Sequence, residues 1–441
     1  MASHGVLDLS SVFARTSCPQ ASTPLLASRN KMKNLYKKLK VVFWKIKAIT
    51  AIYYYGNPAK KMKIIGVTGT NGKTTTATLL YRITTKLGHK SGLVSTVENI
   101  VVGEVKPATH TTPDSFSLHK LFKDMADRDC GYVFMEVSSH ALDQGRVAGI
   151  NFVGGIFTNL TQDHLDYHKN FENYFLAKKK FFRMLPTESF ALSNTDNEYG
   201  HRMLEEIKAK KLSYGFNGSE DFHGEIKKVK LDGLDLTFNG ENIKSKLLGK
   251  FNAYNLLAVW STCKLLGFDM DKVNAILENI DPPTGRFQHF TSPSGVLVIV
   301  DYAHTPDALE NVLKTIGESF AGSKVISVFG CGGDRDPMKR KIMGRIGATL
   351  SDIAIFTSDN PRSEDPEKII DQMKTDLSAE EFKKVKTIPN RHEAILESVK
   401  LAQKGDIILC AGKGHEDYQE IKGVKHHFND TEEYKKAFGI V

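Results

Sequence analysis

The stretch Lys63-Ile64-Ile65-Gly66-Val67-Thr68-Gly69-Thr70-Asn71-Gly72-Lys73-Thr74-Thr75 decides the fold. A short β-rich run over Lys63–Val67 leads into a glycine loop, and a helical pattern follows from Lys73. Backbone N–H groups in such a loop, at the start of a helix, form a concave anion site. Lys73 can reach the β- and γ-phosphates of a nucleotide, and the hydroxyl of Thr74 can bind Mg²⁺. The strict spacing requires glycine at position 67, so this loop is a variant.

The strand–loop–helix pattern continues beyond this loop, as expected of an α/β protein. Buried-strand candidates follow at Tyr132–Val137, Gly155–Thr158 and Phe190–Leu192, and residues 212–247 alternate like hairpins. A second series of strand candidates begins near residue 290: Val296–Val300, Val325–Phe329, Ile353–Phe356 and Ile407–Cys410. Two successive series predict two parallel sheets.

We place the division between the two systems near Pro282–Arg286. Residues 59–286 are predicted to form a central ATP-binding α/β domain around a P-loop parallel sheet. Residues 287–441 are predicted to form a Rossmann-like C-terminal α/β domain.

Composition excludes several classes of protein. The chain has 441 residues, of which 41% are hydrophobic and 25% are charged, so it can bury a substantial core. No apolar run approaches the roughly 20 residues that span a bilayer. The five cysteines are scattered without a C-x-x-C pair, which favours a reducing cytosol and gives no support to a zinc site.

The basic charge is concentrated near the N-terminus. Residues 1–62 hold eleven basic residues and a single acid, Asp8, so their charge of +10 accounts for all of the net charge of +9 and leaves −1 for the remaining residues. The rest of the chain is electrically balanced. We therefore expect no nucleic-acid partner.

The first 58 residues divide into two parts. Residues 1–31 are predicted to be an unstructured tail, or an over-long start with Met32 as the initiator. Residues 32–58 are predicted to form a basic amphipathic helix, because apolar residues recur at helical spacing among lysines: Leu35, Leu39, Val42, Ile46, Ile49 and Tyr53. Such a helix packs on the body or on a partner. Alternatively it lies on the inner membrane surface, with Trp44 and residues 53–55 near the headgroups.

Further motifs resemble the Mur ligase family in their order and rough spacing. Besides Thr68–Thr75 they are Glu136-Val137-Ser138-Ser139-His140, Asp163-His164, Asn252-Ala253-Tyr254-Asn255, Gly285-Arg286 and Asp301-Tyr302-Ala303-His304. The resemblance covers roughly residues 56–435. Gln144-Gly145-Arg146 and Asp359-Asn360-Pro361-Arg362 make the chain similar to the family member that adds the third amino acid of the peptide.

The resemblance implies an ATP-dependent ligase of peptidoglycan precursor synthesis. Its expected reaction joins meso-diaminopimelate to the D-glutamate of UDP-N-acetylmuramoyl-L-alanyl-D-glutamate through an acyl phosphate. Its expected cofactors are ATP and two Mg²⁺ ions, and both substrates are small molecules. The expected catalytic residues are Lys73, Glu136, His164 and Lys178. The expected metal ligands are Thr74, Glu136, His164 and Lys178, the last as a carbamate.

The resemblance also implies three sets of binding residues. ATP is expected at Gly69, Thr70, Asn71, Gly72, Lys73, Thr74, Thr75, Asn255, Arg286 and Asp301. The muramoyl peptide is expected at Thr111, Thr112, Ser138, Gln144 and Arg146. The incoming amino acid is expected at Arg335, Asp359, Asn360, Pro361, Arg362, Gly412 and Glu416. In the last set Arg362 would hold the distal carboxylate that distinguishes diaminopimelate from lysine.

The sequence leaves alternatives for two features: how the UDP end of the substrate is bound, and which reaction is catalysed. Family members carry a folded N-terminal domain that grips the UDP end, whereas only about 62 residues precede the phosphate loop here. We therefore expect that domain to be missing or reduced, with UDP held by the central domain or replaced by a lipid-linked muramoyl substrate. The motifs are also compatible with a lysine-adding ligase, a folylpolyglutamate or cyanophycin-type ligase, or a catalytically idle scaffold.

Overall fold

The computed structural model describes residues 42–440 except Gln162 and Leu231, and for Leu165 and Asp166 only the backbone. The tail predicted over residues 1–31 and the predicted start of the helix at residue 32 lie outside these residues. The described part of that helix, α1, covers residues 42–54, and a 3₁₀ turn at Pro58–Lys61 follows it. None of the described helices is long and apolar enough to span a bilayer.

A large sheet forms the first half of the described chain. Its strands are β1 Lys63–Thr68, β2 Ser91–Val94, β3 Glu98–Val101, β4 Glu104–Pro107, β5 Tyr132–Glu136, β6 Phe152–Phe157, β7 Phe190–Asn194, β8 Lys210–Gly215, β9 Phe222–Lys230, β10 Gly233–Phe238 and β11 Glu241–Ser245. Their order across the sheet is β11-β10-β9-β8-β7-β6-β1-β5-β2-β3-β4. The helices around this sheet are α2 Lys73–Lys86, α3 Ser115–Asp127, α4 Ser139–Asp143, α5 Leu165–His168, α6 Phe171–Met184, α7 Gly200–Leu204, α8 Lys250–Leu265 and α9 Met270–Glu278.

A separate sheet of six strands follows in the order β12-β13-β17-β14-β15-β16. The strands are β12 Gln288–Thr291, β13 Leu297–Asp301, β14 Val325–Phe329, β15 Ile353–Phe356, β16 Val385–Thr387 and β17 Ile407–Ala411, with a hairpin of β18 Tyr418–Ile421 and β19 Val424–His427. Its helices are α10 Pro306–Ser319, α11 Met338–Leu350, α12 Pro366–Lys374, α13 Ala379–Lys383, α14 Arg391–Leu401 and α15 Asp430–Ala437. The predicted α/β class is thus confirmed.

Strand β1 runs parallel to both of its neighbours, β5 and β6, with Val67 opposite Glu136. The carboxyl ends of these strands therefore meet at one edge of the sheet, where open α/β sheets bind their ligands. Every residue of β1 after Lys63 is buried. The predicted strand at the phosphate loop and the predicted hairpins over residues 212–247 are both present. The antiparallel strands β3 and β4 were not predicted, because each has only four residues and β4 is mostly exposed.

Two glycines allow α6 to pack tightly on this sheet. A Cβ atom at Gly66 would lie 2.5 Å from the Phe181 ring, and one at Gly155 would lie 2.9 Å from the same ring. The Phe181 ring fits against the sheet only because Gly66 and Gly155 have no Cβ atom. Phe181 lies about one helical turn from Lys178 on α6. The packing of its ring on the two glycines therefore also positions Lys178 next to the sheet.

Helix α1 is held on the body of the protein by one face. Ala48 and Ala51 are fully buried, and Ile52 packs against Gly149. Lys47 forms an ion pair with Asp114 at 3.2 Å. Residues 42–54 are thus helical with one face packed on the body, and the helix ends four residues before the predicted end at residue 58.

Candidate active site

The glycine loop after β1 forms the start of α2. Gly72 caps this helix with a φ of 83°, a left-handed conformation that favours glycine. A Cβ atom there would lie 2.4 Å from Oδ1 of Asn255, so the α8 asparagine lies directly against the loop. Asn255 in turn donates from Nδ2 to Oδ1 of Asn252 at 3.0 Å. The two elements predicted to bind ATP are thus in contact.

Lys73 and Lys178 lie close together beneath the loop. Lys73 Nζ donates to the carbonyl oxygens of Gly69 and Thr70 at 3.0 and 2.7 Å. Lys178 Nζ donates to the same Gly69 oxygen at 2.7 Å and lies 4.4 Å from the centre of the Tyr174 ring. Burial, together with the charge of Lys73, holds the pKa of Lys178 well below its usual value. Burial also lowers the pKa of Lys73, opposed by Glu136.

Glu136 ends β5 with its carboxylate held by three donors. Oε1 accepts from Thr74 Oγ1 at 2.9 Å and from the backbone N–H of Thr96 at 2.8 Å. Oε2 accepts from Thr96 Oγ1 at 3.2 Å. The Thr74 hydroxyl and the Glu136 carboxylate are oxygen ligands of the kind that Mg²⁺ prefers.

His164 lies near the loop on the β6 side. Its backbone is in the left-handed region, with a φ of 54°, and Nε2 lies 3.3 Å from Oδ2 of Asp163. Its ring centre is 4.9 Å from that of His140. The negative charge of Asp163 opposes the lowering of the pKa values of Lys73 and Lys178 that burial causes.

These groups open onto one cavity of about 640 Å³ between the two sheets. Its lining includes these predicted site residues: Thr70, Asn71, Gly72, Lys73, Thr74, Thr75, Thr111, Glu136, His164, Asn255, Arg286 and Asp301. Gly69 and Lys178 are not among the lining residues. They are connected to the lining residue Lys73, because the Gly69 carbonyl accepts hydrogen bonds from both lysines. The cavity therefore collects most of the residues predicted to bind ATP and metal.

The far wall of this cavity comes from the second sheet. Asp301, at the end of β13, accepts from the backbone N–H groups of Phe287 and Ala303 at 2.7 and 2.9 Å. Burial raises the pKa of Asp301, opposed by the charge of Arg286. The Arg286 guanidinium lies 5.0 Å from the centre of the Tyr302 ring. Nε of Arg286 is buried and has no hydrogen-bond partner among the described residues.

The residues predicted to bind the muramoyl peptide form a hydrogen-bonded chain beside Glu136. Thr111 accepts from Thr96 Oγ1 at 3.0 Å, and Thr112 Oγ1 donates to the Glu136 carbonyl at 2.8 Å. The backbone N–H of Ser138 donates to Thr112 Oγ1 at 3.0 Å. Arg146 Nη1 donates to the Thr112 carbonyl at 2.7 Å, and its Nε donates to Gln144 at 2.9 Å. All five predicted residues are thus brought together.

A second polar cluster lies at the carboxyl ends of β15 and β17. Asn360 Nδ2 donates to Glu416 Oε2 at 2.8 Å. The fully buried Lys413 donates to Asn360 Oδ1 at 3.3 Å and to Glu416 Oε2 at 3.4 Å, and lies 3.8 Å from Asp359. Burial raises the pKa of Glu416, and the charge of Asp359 adds to this effect while Lys413 opposes it. Gly412 lies against Asp359, where a Cβ atom would be 3.8 Å from its carboxylate.

Arg362 lies at the edge of this cluster. Its φ is 51°, Nη1 donates to the Gly333 carbonyl at 2.8 Å, and Nε lies 3.3 Å from Glu420. A Cβ atom on Gly332 would lie 3.0 Å from Nη1 of Arg362 and 3.7 Å from Cγ of Arg335. The two predicted arginines therefore flank one glycine. The Pro361 carbonyl oxygen packs against Gly333, the residue after Gly332. A Cβ atom on Gly333 would lie 1.9 Å from that oxygen.

A backbone contact connects the two clusters. A Cβ atom on Gly285, whose φ is 66°, would lie 2.1 Å from the backbone nitrogen of His415. One on Gly414 would lie 2.8 Å from the carbonyl oxygen of Gly285. Gly285 precedes Arg286, and Gly414 precedes the His415-Glu416 pair. The cavity wall that carries Arg286 and the cluster that carries Glu416 thus meet through two glycines.

Three polar residues in these sites were not predicted from the sequence: Thr96, Lys413 and Glu420. Asp163 belonged to the quoted Asp163-His164 motif, but no role was predicted for it. Thr96 follows strand β2, and strand ends are where such groups cluster. Lys413 sits between two predicted residues in Gly412-Lys413-Gly414-His415-Glu416, so its place in the site had a local signal. The pairing of Glu420 with Arg362 depends on the β18–β19 hairpin and had none.

Two family models match the chain. Residues 67–263 match the Mur ligase middle domain, and residues 285–414 match the Mur ligase glutamate ligase domain. Related proteins also match this chain over most of its length. A ligase from Parabacteroides distasonis named UDP-N-acetylmuramoyl-L-alanyl-D-glutamate--2,6-diaminopimelate ligase is 52% identical over 87% of this chain and 79% of its own. The chain belongs to the Mur ligase family.

More distant Mur ligases give the same assignment. A Clostridium tetani protein of the same name is 44% identical over 92% of this chain and 84% of its own. A solved structure of a ligase of this name has 35% identity and a TM-score of 0.63, over 86% of this chain and 78% of that one. The Mycobacterium tuberculosis folylpolyglutamate synthase complexed with ADP shares the fold, with a TM-score of 0.66 at 19% identity, over 88% of this chain and 96% of that one. This chain is an ATP-dependent ligase.

Proposed function

We propose that this Mur ligase joins meso-diaminopimelate to the D-glutamate carboxylate of UDP-N-acetylmuramoyl-L-alanyl-D-glutamate, with ATP converted to ADP and phosphate. The relative from P. distasonis carries the name of this reaction. The observation that carries the proposal is the convergence of three sets of residues. The phosphate loop, Thr96 and Thr111 line one cavity between the two sheets. The Thr112–Arg146 hydrogen bonds continue from Thr111, and the Asp359–Glu416 cluster adjoins the Arg286 wall through the Gly285–Gly414 contact.

The chemistry requires two anions to approach each other. A carboxylate is a poor acyl donor, so its oxygen first attacks the γ-phosphorus and ADP leaves. The resulting acyl phosphate is attacked at carbon by the unprotonated amine, and phosphate leaves as the amide forms. Lys73 and Arg286 are the cations on opposite walls of the cavity, and they can offset the charge of triphosphate and carboxylate.

We propose that Thr74 and Glu136 hold a Mg²⁺ ion with the nucleotide, and that Glu136, His164 and a carbamylated Lys178 serve a second ion. The ions would supply positive charge to the phosphate oxygens. The donor set fits this role, because the Thr74 hydroxyl and the Glu136 carboxylate lie 2.9 Å apart at the loop. Few protein ligands are needed, since Mg²⁺ usually keeps several waters and phosphate oxygens.

Lys178 has the features that carbamylation needs. An amine attacks CO₂ only when it is unprotonated: its lone pair forms the N–C bond and a proton leaves. Burial and the neighbouring Lys73 favour the unprotonated form of Lys178. A carbamate there would replace a second cation by an anion beside Lys73. Both lysines could then be accommodated in one buried site.

Selection of the amino acid is assigned to the second cluster. Glu416 and Asp359 offer carboxylates to an ammonium group, while Arg362 and Arg335 flank Gly332 and offer cations to a carboxylate. Diaminopimelate carries one more carboxylate than lysine, so these arginines favour it over lysine. A lysine-adding reaction is the competing proposal within the family.

We also infer a peripheral membrane contact through the lysine-rich residues 33–55. The apolar residues left exposed on α1 support it. The contact would leave the ligase reaction itself unchanged.

An end-point assay tests the ligase proposal. The purified chain is incubated with the UDP-muramoyl dipeptide, ATP and Mg²⁺, and with either diaminopimelate or lysine. ADP release and a new tripeptide product are expected with diaminopimelate. Equal or greater turnover with lysine would contradict the substrate, and absence of ADP with both would contradict the reaction.

A further inference from the structure

One face of α1 carries large apolar side chains that remain exposed. They form a stripe, the α1 stripe, made of Val42, Phe43, Ile46, Ile49 and Tyr53, whose exposed fractions lie between 49% and 81%. The spacing of three and four residues places four of them on one side of the helix. Contiguous apolar surface of this kind marks an interaction site.

The opposite face of α1 already has its partner. Ala48 and Ala51 are fully buried, and Tyr55, the residue after the helix, has its ring centre 6.4 Å from that of Phe116. Lys45 packs beside Gly145, next to Arg146. Among the residues that the structure describes, the α1 stripe is therefore not the surface by which the helix packs. The packed face lies beside Gly145 and Asp114, near the residues predicted to bind the muramoyl peptide.

The charge around the stripe identifies its partner. No acidic residue occurs between Asp8 and Glu98, while lysines occur throughout the segment that leads into and through α1: Lys31, Lys33, Lys37, Lys38, Lys40, Lys45 and Lys47. Lys45 is exposed beside the stripe, and Lys60 and Lys61 are exposed just after the helix. Protein interfaces are depleted in lysine, whereas helices that lie on anionic lipid combine lysines with an apolar face.

We propose that the α1 stripe docks on an anionic phospholipid bilayer, with α1 lying in the plane of the headgroups. The docking rests on the proposed function in one respect, since it places the muramoyl-binding residues of the ligase at the membrane surface. Each lysine near an anionic surface strengthens binding by roughly fivefold, and high salt removes this gain. Binding to neutral vesicles is therefore expected to be much weaker than binding to anionic ones.

Vesicle sedimentation of the full chain tests the docking. Vesicles of phosphatidylglycerol and phosphatidylcholine are compared with phosphatidylcholine alone, at low and high salt. The Ile46→Asp/Ile49→Asp variant is expected to bind anionic vesicles at least tenfold more weakly. Its matched control is Val105→Asp/Val424→Asp, which changes two equally exposed apolar residues outside α1 and is expected to bind normally.

A fluorescent reporter locates the contact. Tyr53→Trp places an indole at the most exposed position of the stripe, and Val424→Trp places one on the β18–β19 hairpin. Anionic vesicles are expected to shift the emission of Tyr53→Trp to the blue and to leave the emission from the Val424→Trp indole unchanged. Equal shifts in both, or none in either, would overturn the assignment of the face.

Two further results would overturn the docking. One is the absence of vesicle binding by the unaltered chain. The other is self-association that the Ile46→Asp/Ile49→Asp variant abolishes, because it would assign the stripe to a second copy. The ligase proposal is tested separately: ADP release with diaminopimelate but no vesicle binding defeats only the docking. Vesicle binding without ADP release defeats only the ligase reaction.

Discussion

Lys73 and Lys178 donate to the same acceptor, the carbonyl oxygen of Gly69, at 3.0 and 2.7 Å. Two ammonium groups so placed repel each other, and burial adds to the cost of the charge on both. The pKa is lowered most strongly at Lys178. Burial and this repulsion therefore favour the neutral form of Lys178 more strongly than the neutral form of Lys73.

Lys73→Ala is expected to reduce kcat by at least about 10³-fold, because it removes the cation that serves the transferring phosphoryl group. Lys86→Ala, an exposed lysine at the far end of the same helix, is the matched control and should retain full activity. Steady-state ADP release measures both. Near-normal turnover of Lys73→Ala would refute its role.

Lys178→Ala is expected to lose most activity, and a small added carboxylate is expected to restore part of it. With ¹³C-bicarbonate, the unaltered chain should show a carbamate signal by NMR that the variant lacks. Lys180→Ala is the control, because Lys180 is exposed and pairs with Asp143 at 2.8 Å. Wild-type rates in Lys178→Ala would remove the carbamate from the mechanism.

The pKa of Lys178 predicts a pH dependence of stability. Because its folded pKa lies below the unfolded value of 10.5, the unfolded chain binds more protons between the two values. The free energy of unfolding, measured without bicarbonate, therefore rises with pH in that window, by at most about 1.4 kcal/mol per pH unit for this group. Lys178→Met should reduce the slope and Lys180→Met should leave it unchanged. Parallel slopes in all three proteins would contradict the assignment.

Arg362→Ala is expected to raise KM for diaminopimelate at least tenfold with little change in KM for ATP, because in the proposed site this guanidinium binds the distal carboxylate of the amino acid and does not bind ATP. Arg345→Ala, an exposed arginine on α11, is the control. Glu420→Gln removes the carboxylate that lies 3.3 Å from Arg362 and should lower KM for diaminopimelate. Equal increases in both KM values for Arg362→Ala would count against selection by this residue.

Gly285→Ala is expected to reduce kcat/KM for the amino acid more than tenfold, because its Cβ would collide with the backbone of His415. Gly322→Ala is the control. It separates the effect of the collision from the cost of placing alanine at a positive φ. Gly322 has a φ of 93° with nothing within 4 Å of its Cβ position, so only the backbone cost of about 1 kcal/mol applies. If both variants lose activity equally, the contact does not position the amino-acid loop.

The sequence by itself determined the α/β class and the local chemistry of the loops. Lys73 and Thr74 follow a buried strand and open a helix, so their relation to a phosphate is set within ten residues of chain. The pattern of apolar and lysine residues likewise predicted α1, because helical periodicity is a local property. The resemblance of the motifs then implied the family, which the relatives confirm.

Only the tertiary structure decided which of these groups share an acceptor or a partner. Gly69 receives Lys178 from 109 residues away, Glu136 receives Thr74 from 62 residues away, and Gly285, just before β12, meets Gly414, just after β17. The reason is physical: these contacts arise from the order of parallel strands and from glycines that leave room for a ring or a backbone. Neither the strand order nor the room is encoded in the spacing of residues along the chain.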